Sequence, residues 1–393
     1  MTRRGGVVWA LLAAVVVPRM ALAQDATPAS PIAAPPAPVA FEERLFTGVA
    51  VVHDNDNLPH PFNTLRDDNY SAAYEFRVNG RVVKDTHMSW PLEGLDRFTR
   101  VNRLHARGGR RYHSARLVGL VYTPDRIETT EVQTDDRPYA SLVALTVGRT
   151  TVSGPSLDRA WSSELSIGML GLDLPGDVQR MLHRTRRWMT GKQIPYDPLG
   201  WRNQISAGGE PTALYRAGYQ RHLAGDGDAG QRKHWEIVGS LEGSVGYSVD
   251  AAGSLSFRAG AFTSEFWEFP RGIASPAVGQ QESPASDARR WDLFAFGLLR
   301  PRVVAYDALL QGQFRSSAYT VQARHLLGEW EGGIGASLPA GPLRLQVVVQ
   351  FAQGRTADYV GPKASRYTWG TVGLFVSRPS GGRRAGGAPL TGR

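Results

Sequence analysis

The chain has 393 residues, no cysteine and a formal net charge of +9. Without cysteine it can contain neither disulfides nor thiolate metal sites and nucleophiles, so the fold must close on backbone pairing and packing alone. The positive charge is mild for so large a surface and no nucleic-acid-binding module is visible. We therefore expect no nucleic-acid partner, and anionic envelope lipid is the more available one.

The first residues have the features of a secretory signal peptide. Arg3 and Arg4 precede an apolar stretch, residues 7–17, and a small-residue triplet ends at Ala23. The apolar stretch is shorter than the roughly 20 residues that a membrane-spanning helix needs. We expect cleavage after Ala23, which removes residues 1–23 and exports the rest of the chain.

The remaining chain divides into a linker, a long β region and a tail. Residues 24–44 are rich in alanine and proline and show no hydrophobic period, which predicts an extended linker. Residues 45–377 consist of short segments with a period of two, the first of them at residues 45–52. Residues 378–393 form a tail rich in glycine and arginine.

The alternation in the β region predicts an all-β fold. In residues 71–78, Tyr74, Phe76 and Val78 point to one face and charged residues to the other. The same pattern recurs in residues 161–167, 235–241, 343–350 and 367–375, with aromatic residues near many segment ends. About a dozen such segments predict a transmembrane antiparallel up-and-down β-barrel of about 12 strands in the outer membrane, with its apolar face toward lipid. A soluble β-sandwich, whose strands also alternate, is the alternative.

One segment is predicted to be helical. Residues 176–188 are mostly good helix formers, with Pro175 placed to start the helix and Asp177 in its first turn, where the helix dipole favours an anion. Gln179 and His183 are four residues apart and therefore share a face of this helix.

Three segments are longer than ordinary hairpin turns, namely residues 53–71, 122–139 and 175–204. Counted from the first strand, they join strand one to two, three to four, and five to six. Every second connection of an up-and-down barrel lies at the same rim, so we expect all three segments at one end. If the N-terminus stays in the periplasm, that rim faces outward and borders the leaflet that contains lipopolysaccharide.

The first of these segments begins with a run of hard oxygen ligands. Asp54-Asn55-Asp56-Asn57 starts like an EF-hand loop, but Leu58 and Pro59 stand where an oxygen ligand and the glycine belong, which excludes an EF-hand. Two acids and two amides in a row still suit Ca²⁺ in a less regular site, and a polar loop at a strand end is the alternative. The sequence contains no H-E-x-x-H, Walker or G-x-S-x-G signature.

Six motifs follow one another along the chain: Asp54-Asn55-Asp56, Asp67-Asp68-Asn69-Tyr70-Ser71, Tyr122-Thr123-Pro124, Asp136-Arg137-Pro138-Tyr139-Ala140, Gln179 to His183, and Gly200-Trp201 with Gln204. In this order they resemble the lipid A 3′-O-deacylase family, and the resemblance covers roughly residues 46–223. The resemblance implies a twelve-stranded barrel that hydrolyses the 3′-linked acyl ester of lipid A at its outer rim, with Ca²⁺ and a histidine.

The resemblance also implies roles for individual residues. His183 would be the general base, Asn55 and Asp56 would lie at the oxyanion and metal site, and Ser71 would replace a threonine as a catalytic residue. Asp56 would be the metal ligand. Four further side chains would bind the substrate, the arginines through lipid A phosphates: Gln179, Arg184, Arg187 and Arg126.

The chain departs from the family pattern in the segment after Tyr-Thr-Pro. The family's lysine has no counterpart there, since Thr129 or Thr130 falls at its place and Arg126 is the nearest cation. Two alternatives therefore stay open: a relative that binds lipopolysaccharide without cleaving it or with altered specificity, and a passive pore on the same scaffold. We expect a monomer.

Overall fold

Twelve antiparallel strands close into a barrel. The structure is a computed structural model that describes residues 41–56, 58, 69–105, 109–154, 156–190, 198–227, 231–269, 273 and 290–378, all within one compact unit. The barrel strands are β1 (Gly48–Asn55), β2 (Asn69–Asn79), β3 (Arg110–Thr123), β4 (Ala140–Ser153), β5 (Arg159–Leu170), β6 (Glu210–Gly225), β7 (Lys233–Gly246), β8 (Ser248–Phe262), β9 (Asp292–Asp307), β11 (Leu326–Ala340), β12 (Leu343–Arg355) and β14 (Tyr367–Ser377). Two short strands, β10 (Gln322–Ala323) and β13 (Tyr359–Val360), pair with each other.

The barrel confirms the predicted all-β architecture and strand number. Barrel strands that follow each other in the chain are paired, and β1 pairs with β14 to close the sheet. The first strand was predicted at residues 45–52, whereas β1 begins at Gly48 and ends at Asn55. The reason is that pairing with both β2 and β14 continues as far as Asn55.

The outward face of the barrel is apolar, as the alternation predicts. Val51 and Phe76 are register partners, and both are exposed on this face. The same register row continues through Leu117, Leu145 and Ile167 on the next three strands, and these residues are exposed too. An outward apolar band is the surface that a transmembrane barrel presents to lipid.

The inward face carries charged side chains that pair with one another. Arg258 and Glu236, both fully buried, lie 2.6 Å apart, and Arg300 bridges Glu242 and Glu329. Further inward pairs are Arg116–Glu164, Arg302–Asp250, Arg344–Asp292 and Arg355–Glu329. Because buried charges are rare unless paired, the described lumen is a packed ionic core.

The connection between β8 and β9 folds back into this lumen. It begins with a 3-10 turn, Phe266–Glu268. Phe269 then contacts Phe296 of β9 with ring centroids 5.2 Å apart, and the backbone N–H of Ile273 donates to Asp54 Oδ2 at 2.8 Å. Asp54 is near the far end of β1, so this segment reaches deep into the barrel.

The connections lie at two rims. Those that follow β1, β3, β5, β7, β9 and β12 share one end, which we call the site rim. The opposite end, the terminal rim, contains the paired residues Gly48 and Ser377 of the first and last strands. All three of the long segments singled out in the sequence therefore meet at the site rim, as the strand count predicts.

Helices are confined to the connections. The site rim holds α4 (Leu174–Thr190), which is two residues longer at each end than the predicted 176–188, and α5 (Ala308–Gln311). The connection from β2 to β3 at the terminal rim contains α1 (Val82–Asp85), α2 (Trp90–Phe98) and α3 (Asn102–His105). None of the helices in the described ranges is long and apolar enough to cross a membrane.

Candidate functional site at the site rim

The end of β1 separates the predicted oxygen ligands. Asp54 points into the lumen, where its carboxylate accepts hydrogen bonds from Tyr70 (3.0 Å) and Thr371 (2.7 Å). Asn55 points outward, and its amide donates to the backbone oxygen of Ser71 at 2.9 Å. Because β1 continues through Asn55, the alternation of a strand places these neighbours on opposite faces. Asp54 and Asn55 therefore do not share a face of the strand, and a common ligand set of residues 54–57 stays a prediction.

Ser71 lies at an irregularity in β2. The register with β3 shifts between Tyr70 and Ala72, which leaves Ser71 as the extra residue of a bulge. Its hydroxyl is 2.5 Å from that of Thr123, the last residue of β3. The bulge thus joins two of the predicted motifs, Asp67-to-Ser71 and Tyr122-to-Pro124, at one point. Asp67 and Asp68 themselves lie outside the described residues.

Asp56 is the residue expected to bind metal, and it is almost fully buried at the site rim. Ca²⁺ takes 6–8 oxygen ligands, usually several carboxylates among them. Within the described ranges, no group of three or more histidine, aspartate or glutamate side chains is placed to hold a metal ion. The described residues alone thus do not supply several carboxylates around Asp56, and Ca²⁺ binding at Asp56 stays a prediction.

The connection between β3 and β4 is anchored from inside the barrel mouth. Arg137 stacks over Tyr122 with its guanidinium 4.1 Å from the ring centre. Asp136 accepts hydrogen bonds from the backbone N–H of Asp125 (2.9 Å) and from Tyr359 (2.9 Å). Burial, together with the Asp136 carboxylate, raises the pKa of Tyr359, so that its hydroxyl stays a donor. The Asp136-to-Tyr139 motif thus fixes this connection to β13.

The same connection also covers the outward face of the barrel. Val121 belongs to the outward row of β3 and is buried in a cluster with Ile127, Tyr139 and Trp201. Trp201 lies in a 3-10 turn, Gly200–Asn203, of the connection between β5 and β6. Two long connections therefore pack against the outer wall of the barrel instead of extending away from it.

Helix α4 is attached to this cluster. Its residue Gln179 is buried and accepts a hydrogen bond from the indole N–H of Trp201 at 3.2 Å. The helix also lies against β3. Below it, the Ser141 hydroxyl on the outward face of β4 is within hydrogen-bonding distance of Leu172 O (3.0 Å) and of Gln204 Oε1 (2.9 Å).

His183 is in the third turn of this helix, so its backbone is held beside the outer wall. The side chains of His183 and Arg187 lie outside the described part of the chain. Arg184 is exposed on the same helix. Arg126 is exposed on the neighbouring connection, 3.6 Å from Asp135. The roles predicted for these four residues stay predictions.

Sequence reasoning missed a cation at this place. Lys363, in the connection between β12 and β14, lies 3.4 Å from Asp125, 3.6 Å from Asp135 and 4.0 Å from Asp136. Its ammonium group therefore lies beside the connection between β3 and β4, where the sequence has no counterpart of the family's lysine. No local signal marks it, because more than two hundred residues separate Lys363 from the carboxylates that it contacts.

Comparisons with known proteins agree with this architecture. A family model described as "Outer membrane protein LpxR" matches residues 8–377. No curated protein sequence matches the chain significantly. The solved structure of LpxR from Salmonella typhimurium is 13% identical and has a TM-score of 0.60, covering 84% of this chain and 99% of its own. The monoaromatic hydrocarbon channel TodX (deltaS2 mutant) is 8% identical, covers 86% of this chain and 90% of its own, and has a TM-score of only 0.29, too low to carry an argument. This chain is therefore a twelve-stranded β-barrel of the outer membrane that belongs to the LpxR family.

Proposed function

We propose that this protein is a lipid A deacylase, a carboxylic ester hydrolase that removes the 3′-linked acyl chain of lipid A in the outer leaflet. One observation carries the proposal: the helix that bears His183 is fastened to the outer wall of the barrel, where β3 ends at Thr123, and not above the lumen. A lipid substrate reaches a barrel from the surrounding membrane, so a site on the wall is accessible to it.

In this proposal the reaction is hydrolysis by activated water. The imidazole of His183 takes a proton from water, and the resulting oxygen nucleophile attacks the carbonyl carbon of the ester. The tetrahedral intermediate then expels the sugar alkoxide, which receives the proton from the imidazolium. General-base assistance of this kind typically contributes about 10²- to 10⁴-fold to the rate.

The negative charge that develops on the carbonyl oxygen of the ester must be stabilised by hydrogen-bond donors close to it. Asn55 is a residue predicted for the oxyanion and metal site, and its amide donates to the backbone oxygen of Ser71, the predicted catalytic serine. The Ser71 hydroxyl is hydrogen-bonded to that of Thr123, 2.5 Å away. Donors that are fixed in place before the reaction stabilise an oxyanion by a few kcal/mol, typically about 3–4. Asn55 and Ser71 are therefore proposed as the oxyanion side of the site.

The substrate is a phosphorylated glycolipid, which matches the cations of this rim. Arg184 is exposed on α4 and Arg126 on the connection beside it. Guanidinium groups bind phosphate through paired hydrogen bonds. We assign Arg126, Arg184 and Arg187 to the lipid A phosphates. Gln179 is assigned to holding α4 in position, because its side chain is buried against Trp201.

A passive pore is the less favoured function. In the described residues, the lumen is occupied by paired charges and by the connection that brings Ile273 to Asp54. A relative that binds lipopolysaccharide without cleaving it would keep the same wall and the same arginines. Both proteins would bind the same lipid, so only cleavage of the ester distinguishes the proposed enzyme from that alternative.

The test uses purified protein refolded in detergent and mixed micelles that contain lipid A. We expect the wild type to release free fatty acid, with a matching loss of one acyl substituent from the lipid product in mass spectra. Binding of lipid A without any release of fatty acid over the full time course would show a non-catalytic relative and contradict the proposal.

A further inference from the structure

The connection from β2 to β3 packs against the outer wall of the barrel. Val83 of α1 and Leu92 of α2 are buried in one cluster with Ala115, Val147 and Leu165. Those three strand residues are register partners on β3, β4 and β5, on the outward face. The next row toward the site rim on this face holds Leu117, Leu145 and Ile167, which are exposed. The helices therefore cover the lower edge of the apolar band.

A buried polar set fixes α2 in this place. Asp96 of α2 has no exposed surface and forms an ion pair with Arg149, which is on the outward face of β4. It also accepts hydrogen bonds from Ser163 (2.9 Å) and Tyr215 (2.8 Å). An arginine on the lipid-facing side of a barrel is costly, and more so the deeper it lies in the membrane. Helix α2 removes that cost by giving Arg149 a partner and covering it.

The exposed side of the same helices carries large apolar side chains and arginines. Trp90 is 61% exposed and Phe98 is 85% exposed. Between and beyond them Arg97, Arg100 and Arg103 are also exposed, and within the described ranges no carboxylate forms an ion pair with any of the three. Large apolar side chains flanked by arginines, on helices too short to cross a membrane, are typical of segments that lie in a membrane interface.

We propose that α1 to α3 form an interfacial element that inserts Trp90 and Phe98 into the inner, phospholipid leaflet of the outer membrane and binds anionic head groups through Arg97, Arg100 and Arg103. The terminal rim contains the start of β1 and the end of β14. It faces the periplasm, because the barrel enters the outer membrane from that side. The helices continue the outward apolar surface of the barrel wall, so lipid is the occupant that the position selects. The proposal is independent of the reaction at the site rim.

The absence of cysteine from the chain makes a direct test possible. Phe98→Cys is labelled with an environment-sensitive fluorophore in protein reconstituted in vesicles, and quenching by spin-labelled phospholipids is measured. Ile167→Cys, which is exposed on the apolar band, is the lipid-facing control, and Ser156→Cys, exposed in the turn between β4 and β5 at the same rim, is the aqueous control.

We expect the label at position 98 to be quenched about as strongly as the label at position 167, and the label at position 156 to be quenched weakly. Because Phe98 is mostly exposed, its replacement should not disturb folding, and heat-dependent mobility in gels checks each variant. Quenching at position 98 equal to that at position 156 would overturn the insertion of α2.

The head-group preference is tested with spin-labelled phosphatidylglycerol and spin-labelled phosphatidylcholine. An arginine close to an anionic membrane surface contributes about 1 kcal/mol, or about fivefold in local concentration. We expect the anionic lipid to quench more strongly in the Phe98→Cys protein, and the preference to fall when Arg97→Gln and Arg103→Gln are added. Equal quenching by the two lipids before the arginines are changed would overturn the anionic part of the proposal.

Discussion

At the scale of single residues, His183 bears most of the proposed chemistry. We predict that His183→Ala reduces lipid A deacylation by about 10²- to 10⁴-fold, since general-base assistance is lost. The barrel should stay folded, because α4 contributes nothing to strand pairing. Fatty acid release measures the loss, and heat-dependent mobility in gels measures folding.

The matched control is His234→Ala. His234 is exposed and lies near the terminal rim, at the opposite end of the barrel from α4, where it pairs with Asp226 at 2.7 Å. Its replacement should leave the rate unchanged. Wild-type activity in the His183→Ala variant would exclude His183 as the general base.

The second residue prediction concerns Asp56 and Ca²⁺. If the buried Asp56 carboxylate is a metal ligand and other ligands remain, Asp56→Ala should lower activity, and excess Ca²⁺ should restore part of it. Activity is measured against Ca²⁺ concentration, with chelator as the reference state. If neither the wild type nor the variant responds to chelation, the metal is excluded while the role of His183 stands.

Sequence reasoning at this scale identified the run of oxygen ligands at residues 54–57 but could not show which way each side chain points. β1 extends through Asn55, which turns Asp54 into the lumen toward Thr371. Where a strand ends is decided by its partners, here β2 and β14. A local stretch of sequence contains no information about that limit.

At the scale of elements, the position of α4 depends on a glycine. A Cβ added at Gly176 would lie 2.7 Å from the ring of Trp201, which is itself buried. We predict that Gly176→Ala shifts α4 away from the wall and reduces deacylation at least tenfold. Alanine favours helix over glycine by about 1 kcal/mol, so helix propensity cannot cause the loss.

Gly94→Ala is the matched control, because Gly94 is also helical and an added Cβ would meet nothing within 4 Å. It should keep full activity. Equal activity of the two alanine variants, measured as fatty acid release, would show that contact with Trp201 does not position the helix.

Some contacts between elements could not be predicted from the sequence. The alternation in β5 correctly placed Leu165 on the outward face, but α2 covers it there. A residue that faces lipid and one that faces a helix have the same period, so the pattern cannot distinguish them. The inward path of the β8–β9 connection to Asp54 is likewise a long-range contact with no local signal.

At the scale of the whole molecule, stability should depend on the ionic core of the lumen. Glu329 is fully buried and pairs with Arg300 and Arg355. We predict that Glu329→Ala lowers the free energy of unfolding by about 3–5 kcal/mol, because it leaves buried arginines without this carboxylate. Urea titration of the refolded protein measures the change.

Glu128→Ala removes an exposed carboxylate and serves as the control, with a change within about 0.5 kcal/mol. Similar midpoints for the two variants would mean that water screens the charges of the lumen, and would reopen the question of a pore.

The central claim is that this outer-membrane barrel deacylates lipid A, and the most direct measurement is mass spectrometry of lipid A from cells with and without the protein. Cells that produce it should contain lipid A that has lost its 3′-linked acyl substituent, and cells that produce the His183→Ala variant should not. Unchanged lipid A in cells whose outer membranes contain the folded wild-type barrel would contradict the account.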